Sequence, residues 1–201
     1  MRGPTAQRER SLRADAQRNR DALVAVARAA LSSNGGLLNL EAIARKAGVG
    51  IGTLYRHFPT REVLIEAVYA AELEDLTMSA TTLLSTLPPD AALREWVARY
   101  AHFAATKRGI IDTLHAGMSA GRIPASTTRE RITAAIEPIL TAGARAGSLR
   151  EDIDPGDVTA LLLGVFLSTA TNSTVTRTGR LLDLVLDALR PNVAAKSAPE
   201  I

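Results

Sequence analysis

The segment Asn39 to Leu64, NLEAIARKAGVGIGTLYRHFPTREVL, gathers the residues best suited to binding chemistry. Thr53, Tyr55 and His57 carry groups that hydrogen-bond phosphate oxygens, and Arg56 can neutralise a phosphate or reach a base edge. Gly50 and Gly52 remove side chains just ahead of them, so the backbone can come close to a phosphate or base. Ile51 can meet a thymine methyl, and Arg61 adds charge beside the free amides that open the next helix. Asn39 belongs to the same binding set and also caps a helix start. Covalent and metal chemistry have no comparable basis. The chain has no cysteine, so thiolate metal sites, cysteine nucleophiles and disulfides are excluded. His57, His102 and His115 are the only histidines and match no zinc spacing; His102 and His115 are read as pocket or surface residues. No G-x-S-x-G, P-loop or dinucleotide fingerprint occurs, and Glu151, Asp152 and Asp154 sit in a turn as loop solvation. The expectation is a protein that binds, with no enzyme activity, cofactor or metal.

The elements that must position these groups are helical nearly throughout. Leu23, Val26, Ala27, Ala30 and Leu31 form one buried stripe, predicting a helix from about Ala14 to Ser33 that Asn34-Gly35-Gly36 ends. A helix from Asn39 buries Leu40, Ile43, Ala44 and Ala47 until Gly48 breaks it. A short helix covers about 50–58, with Val49, Leu54 and Phe58 pinned to the core, and Pro59 stops it. Thr60 caps a long helix reaching the mid-80s. Further helices are predicted over about 90–107, 109–119, 125–146 with a kink at Pro138, 155–174 and 178–190. Two short helices crossing at Ala47-Gly48-Val49 have the build of a helix-turn-helix, whose second helix enters the DNA major groove.

Residues 40–64 resemble the signature of the TetR family of transcriptional regulators, through IARKAGV at 43–49, GTLYRHF at 52–58 and R-E-x-L at 61–64. The periodicity gives an all-α fold of about nine helices, and the resemblance implies an N-terminal three-helix head and a C-terminal helical body. The resemblance further implies a homodimer on a palindromic double-stranded DNA operator, repression as the default, and release by a small-molecule effector. Carried onto this chain, backbone positioning falls on Thr53, Tyr55, His57 and Arg61, and sequence reading on Gly50, Ile51, Gly52 and Arg56. Three positions depart from the family pattern. Gly50 replaces a small polar residue, Arg61 replaces lysine, and Ile51 gives one reading position no hydrogen-bonding side chain. The alternative is a helical small-molecule or partner-binding protein without specific DNA binding.

Charge is divided in the same sense. Residues 1–62 carry 11 Lys+Arg and 5 Asp+Glu, whereas residues 63–201 carry 13 and 16. A basic head on a mildly acidic body suits a polyanion partner. Residues 1–12 lack periodicity and are expected to form a disordered basic arm. Arg2, Arg8, Arg10, Arg13, Arg18 and Arg20 then either track phosphates or simply solubilise the terminus. The domains read as the arm at 1–12, the DNA-binding head at 13–59, a ligand-binding and dimerisation body at 60–190, and a tail at 191–201.

In the body, Trp96, Tyr100 and Phe103 share a helix face and, with Met118 and Phe166, either line an apolar ligand pocket or form ordinary core. Thr169, Thr171, Asn172 and Ser173 either supply polar contacts or cap a helix end. The last helix is apolar on two sides, with Leu181, Leu184, Val185 and Leu189 on one stripe and Leu182 and Leu186 on another. It is therefore a subunit interface or a central core helix. Val158, Leu162, Leu182 and Leu186 are the expected dimer contacts. No secretory signal or spanning segment is apparent, which predicts a cytoplasmic protein with no membrane partner.

Overall fold

The computed structural model describes residues 4–33, 38–108, 110–121, 125–169 and 175–191. Among them nine helices and no strand occur, so the fold is all-α as expected. The order is α1 (Pro4–Ser33), α2 (Leu40–Lys46), α3 (Ile51–His57), α4 (Arg61–Thr86), α5 (Pro89–Arg108), α6 (Ile111–Ser119), α7 (Ala125–Arg145), α8 (Pro155–Ser168) and α9 (Val175–Ala188). No helix among the described residues is long and apolar enough to cross a membrane.

α1 begins about three turns earlier than its apolar stripe predicts, so the arm expected at 1–12 is helical from Pro4 onward. Residues 11–18 are all exposed, so burial does not drive this extension. Good helix formers (Ala, Gln, Arg, Glu), a proline at the first position and local pairs sustain it. Arg18 pairs with Asp15, and Gln17 donates to Asp21 at 2.8 Å. Residues 34–36, expected to end α1, and residues 192–201 of the expected tail lie outside the described residues.

The chain divides into two compact units, residues 1–72 with 106–123, and residues 73–105 with 124–201. The boundary expected at residue 59 falls inside the first of these. In that unit α2 and α3 pack on α1, whose Leu23 and Ala27 are fully buried. Leu64 and Val68 of α4 are buried as well. Arg28 of α1 donates to the buried Glu72 carboxylate of α4 at 3.2 Å, which ties those two helices together.

The second unit is built on Leu93, Trp96 and Val97 of α5, Ile136 and Ile139 of α7, and Leu162 of α8, all essentially inaccessible. α8 packs between α7 and α9. Polar ties cross the same elements. Arg131 of α7 pairs with Glu74 of α4, and Thr133 Oγ1 lies 3.0 Å from Thr159 Oγ1 of α8. Arg94 of α5 lies 3.1 Å from Asp183 of α9. α7 runs through Pro138, which is exposed.

α7 closes with two hydrogen bonds, Ser148 N to Gly143 O and Gly147 N to Ala144 O, each 3.0 Å, around Gly147 at φ +67°. That turn folds Leu149 back onto Gly143, where a Cβ would overlap the Leu149 side chain and come within 3.0 Å of its own Cβ. Gly143→Ala is therefore expected to destabilise the protein by up to about 2 kcal/mol, an overpacking cost of about 1–3 kcal/mol less the helix-propensity gain of about 1 kcal/mol. Urea denaturation measures the difference.

Candidate nucleic-acid interface

α2 and α3 have seven residues each, too short to persist alone, so their positions are set by caps and by burial. Asn39 opens α2, its Oδ1 accepting from Ala42 N at 2.9 Å. This Oδ1 is thus engaged in the cap rather than turned wholly to an outside partner. The far end of α2 closes around Gly48, at φ +73°, where Val49 N bonds Ala44 O at 3.0 Å and Gly48 N bonds Arg45 O at 3.2 Å. An L-residue is strained at that φ, so glycine here sets the angle between the two helices.

α3 then divides cleanly. Leu54 within it and Phe58 at its C-terminal cap are 0% exposed. They lie one helical turn apart and pin the helix inward. Ile51, Gly52, Tyr55 and Arg56 are exposed, and Thr53 and His57 are partly exposed. Gly50 caps the helix with ordinary extended backbone, φ −72° and ψ 152°. A Cβ added at Gly50 or Gly52 meets nothing within 4 Å. Neither glycine is required by conformation or packing, and both leave the backbone bare on the outer face. Thr60 Oγ1 accepts from Val63 N at 3.4 Å and opens α4, whose first residue is the partly exposed Arg61. Residues 50–57 and 61 thus form one short stretch, with Tyr55 and Arg56 turned outward and Thr53, His57 and Arg61 partly exposed.

Two basic residues of the same stretch escaped the sequence reading. Arg45 and Lys46 are exposed in the last turn of α2, next to the Gly48 turn. Their signal was the dipeptide itself, on the solvent face opposite Ile43 and Ala44. Arg20 is corrected in the other direction. Its guanidinium lies over the Phe58 ring, 4.7 Å from the centroid, so it packs the anchor of α3 as a cation–π partner.

The residues expected in the body are placed differently. Trp96, Tyr100 and Phe103 do share one face, with ring centroids 6.0 and 6.5 Å apart in succession. All three are buried, and the Trp96 indole N–H donates to Leu76 O at 3.2 Å. Phe166 is buried on α8. Met118 belongs to the other compact unit, and its side chain lies outside the described residues. Thr169 is buried and its hydroxyl donates to Val165 O at 2.8 Å, a helix-end role; residues 171–173 lie outside the described residues.

The four expected dimer contacts, Val158, Leu162, Leu182 and Leu186, are buried within the single chain and are corrected to core. The true inward stripe of α9 is Leu182, Val185, Leu186 and Leu189, spaced i, i+3, i+4, i+7. Among the described residues, the large apolar side chains that α8 and α9 expose are Leu161 (51%), Leu167 (61%) and Leu184 (65%).

Perturbed charges lie on α5 and in the turn between α7 and α8. Burial lowers the pKa of Lys107, which lies 5.7 Å from the Tyr69 ring centroid. The hydrogen bonds from Arg150 hold the Asp152 carboxyl below its ordinary value. Asp154, in the same turn, caps α8 through Gly156 N at 2.7 Å. Among the described residues no group of three or more His, Asp or Glu is placed to hold a metal ion.

Residues 23–68 match the family described as bacterial regulatory proteins, tetR family. Residues 88–191, just over half of the chain, match the family described as transcriptional regulator SbtR-like, C-terminal domain. This chain belongs to the TetR family. The TetR transcriptional regulator SCO0520 from Streptomyces coelicolor is 45% identical, with a TM-score of 0.75 over 86% of this chain and 98% of that one. The TetR transcription regulatory protein from Mycobacterium vanbaalenii is 32% identical, with a TM-score of 0.68 over 90% and 99%. The HTH-type transcriptional repressor KstR of Rhodococcus jostii is 38% identical over 68 residues, which span 33% of this chain and 32% of that repressor. As a TetR-family transcriptional regulator the protein is a DNA-binding one, and α2 and α3 lie within the residues that match the family's N-terminal model.

Anchor and contact residues are separable by experiment. Phe58→Ala is expected to cost about 3–5 kcal/mol of stability, and DNA binding with it. Tyr55→Ala removes a half-exposed ring, so stability should stay within about 0.5 kcal/mol while DNA affinity falls roughly tenfold. Thermal melts and fluorescence-anisotropy titrations on both variants check this.

Proposed function

We propose that this regulator is a repressor that holds a palindromic operator as a homodimer and releases it when a small molecule binds its C-terminal part. One observation carries the DNA half of the reading. α3 buries Leu54 and Phe58 completely while turning Tyr55, Arg56 and two side-chain-free glycines outward. Repression is supported by the likeness of 68 residues of the chain to a repressor. The head at 13–59 reads DNA, and the body at 60–190 dimerises and takes the effector. Two α3 helices then enter successive major grooves of one operator, about 34–36 Å apart.

The effector-responsive half rests on the aromatic face of Trp96, Tyr100 and Phe103, with Phe166 on α8. Such a face suits an apolar or aromatic small molecule. α4 is the link, because its 26 residues begin beside α3 and continue into the second compact unit. Effector binding favours a spacing of the two α3 helices that no longer fits the operator. A preference of about 1–3 kcal/mol for that state is enough to shift occupancy appreciably.

Selection of DNA sites in vitro with the purified protein, followed by salt titration of the winner, tests the reading. A palindrome with a steep salt dependence supports it. No enriched sequence counts against specific DNA recognition by α3. Arg61→Ala is expected to weaken binding to every sequence and to reduce the salt slope by about 1.8, one counterion for each of the two protomers. Substitution of Ile51 is expected to change the selected sequence more than the overall affinity.

A further inference from the structure

Lys107 stands in the last turn of α5, in the compact unit that also holds α1, α2 and α3. A surface lysine ordinarily buries its methylene stem and keeps its ammonium in water. Lys107 does otherwise. It is only partly exposed, its Nζ lies 5.7 Å from the centroid of the Tyr69 ring, and that ring is itself buried on α4. Burial holds its pKa below the ordinary lysine value, so the charged head and not only the stem is withdrawn from water.

Among the described residues no carboxylate pairs with this ammonium. Arg28, Arg94, Arg131 and Arg150, by contrast, each meet a carboxylate. The face of a tyrosine ring attracts a cation but carries no net charge, so it does not replace a counter-ion. Withdrawing a cation from water without one is costly, and buried charges are ordinarily paired. The backbone at this point is held, since Ile110 N bonds Lys107 O at 3.2 Å and closes the turn that leads to α6. An anion arriving from solution would offset the cost.

Helix register indicates what else such an anion carries. Trp96, Tyr100, Phe103 and Lys107 fall at i, i+4, i+7 and i+11 on α5, and eleven residues return to within about 20° of the starting direction. Lysine is also a rare choice, used three times in this arginine-rich chain. Its compact ammonium suits a single carboxylate or sulfonate, whereas arginine is the better fork for a phosphate.

Resting on the effector reading above, we infer that Lys107 recognises the anionic group of the effector, which is an apolar or aromatic organic acid bound as its monoanion. Binding exchanges the contact with the Tyr69 ring for an ion pair. Recognition of the anion thus bears on α4 within the unit that holds α1 to α3.

Two fluorescent probes of one aromatic skeleton test this on the full-length protein. 1-Anilinonaphthalene-8-sulfonate is a monoanion, and N-phenyl-1-naphthylamine is its uncharged counterpart. Both are titrated into wild type, Lys107→Met and Lys107→Arg, with circular dichroism and thermal melts to verify that each variant is folded. Methionine keeps an apolar stem without the charge, and arginine keeps the charge; Lys107→Gln replaces the methionine variant if that one does not fold. Lys107→Met is expected to weaken the anionic probe by about tenfold or more and to leave the uncharged probe within about twofold of wild type. Lys107→Arg should stay within about threefold of wild type for both probes. Unchanged binding of the anionic probe to Lys107→Met would overturn the inference. So would an equal loss of both probes, which is the mark of stem packing, or a loss in Lys107→Arg as large as in Lys107→Met. In each of these cases the effector site itself survives. A wild-type protein that takes up neither probe at about 100 μM would instead overturn the effector reading.

Discussion

The local architecture around α3 depends on burying one side of a helix too short to exist alone. Seven residues make fewer than two turns, and isolated helices below about 12–15 residues are marginal in water. Leu54 and Phe58 overcome this by being fully buried, with α1 and α2 packed beside them. Arg20 closes over the Phe58 ring, and Gly48 fixes the turn that delivers α3. Because the inner residues are locked, the outer ones are held in place before any DNA arrives. Pre-organisation of that kind lowers the ordering cost of binding.

The same packing changes how the basic charge of the N-terminal part is understood. Of the eleven Lys and Arg within residues 1–62, at least three among the described residues serve the protein itself. Arg18 pairs with Asp15, Arg20 covers Phe58, and Arg28 holds the buried Glu72. A charge count therefore overstates the cations offered to phosphate. Arg45, Lys46 and Arg56 are exposed, and Arg61 is partly so, all within one short stretch of chain. This local concentration, more than the total, suits the interface to a polyanion.

In the second unit, burial and function are harder to separate. The aromatic row of α5 is close-packed, and the Trp96 indole N–H is satisfied by the Leu76 carbonyl. A satisfied indole stabilises the core whether or not a ligand ever enters it. α8 and α9 place one apolar stripe inside the chain and leave Leu161 and Leu184 outside. The inner stripe supports the fold, and the outer residues are available for association.

The sequence by itself determined the helices, their caps and the turn that makes the interface. Each is a local property, such as the spacing of Ile43 and Ala44, the Asn39 and Thr60 caps, or the glycine at 48. It also determined which side of α3 turns outward, since Leu54 and Phe58 are the large apolar residues of GTLYRHF at i and i+4. Tertiary structure alone decided which residues of the two apolar stripes on α9 are core, because the buried row takes Val185 and Leu189 from one and Leu182 and Leu186 from the other once a neighbour covers them. It likewise decided that Arg20 belongs to the packing and that the charge on Glu72 is buried. Those roles arise between residues dozens of positions apart, where spacing along the chain carries no information about distance in space.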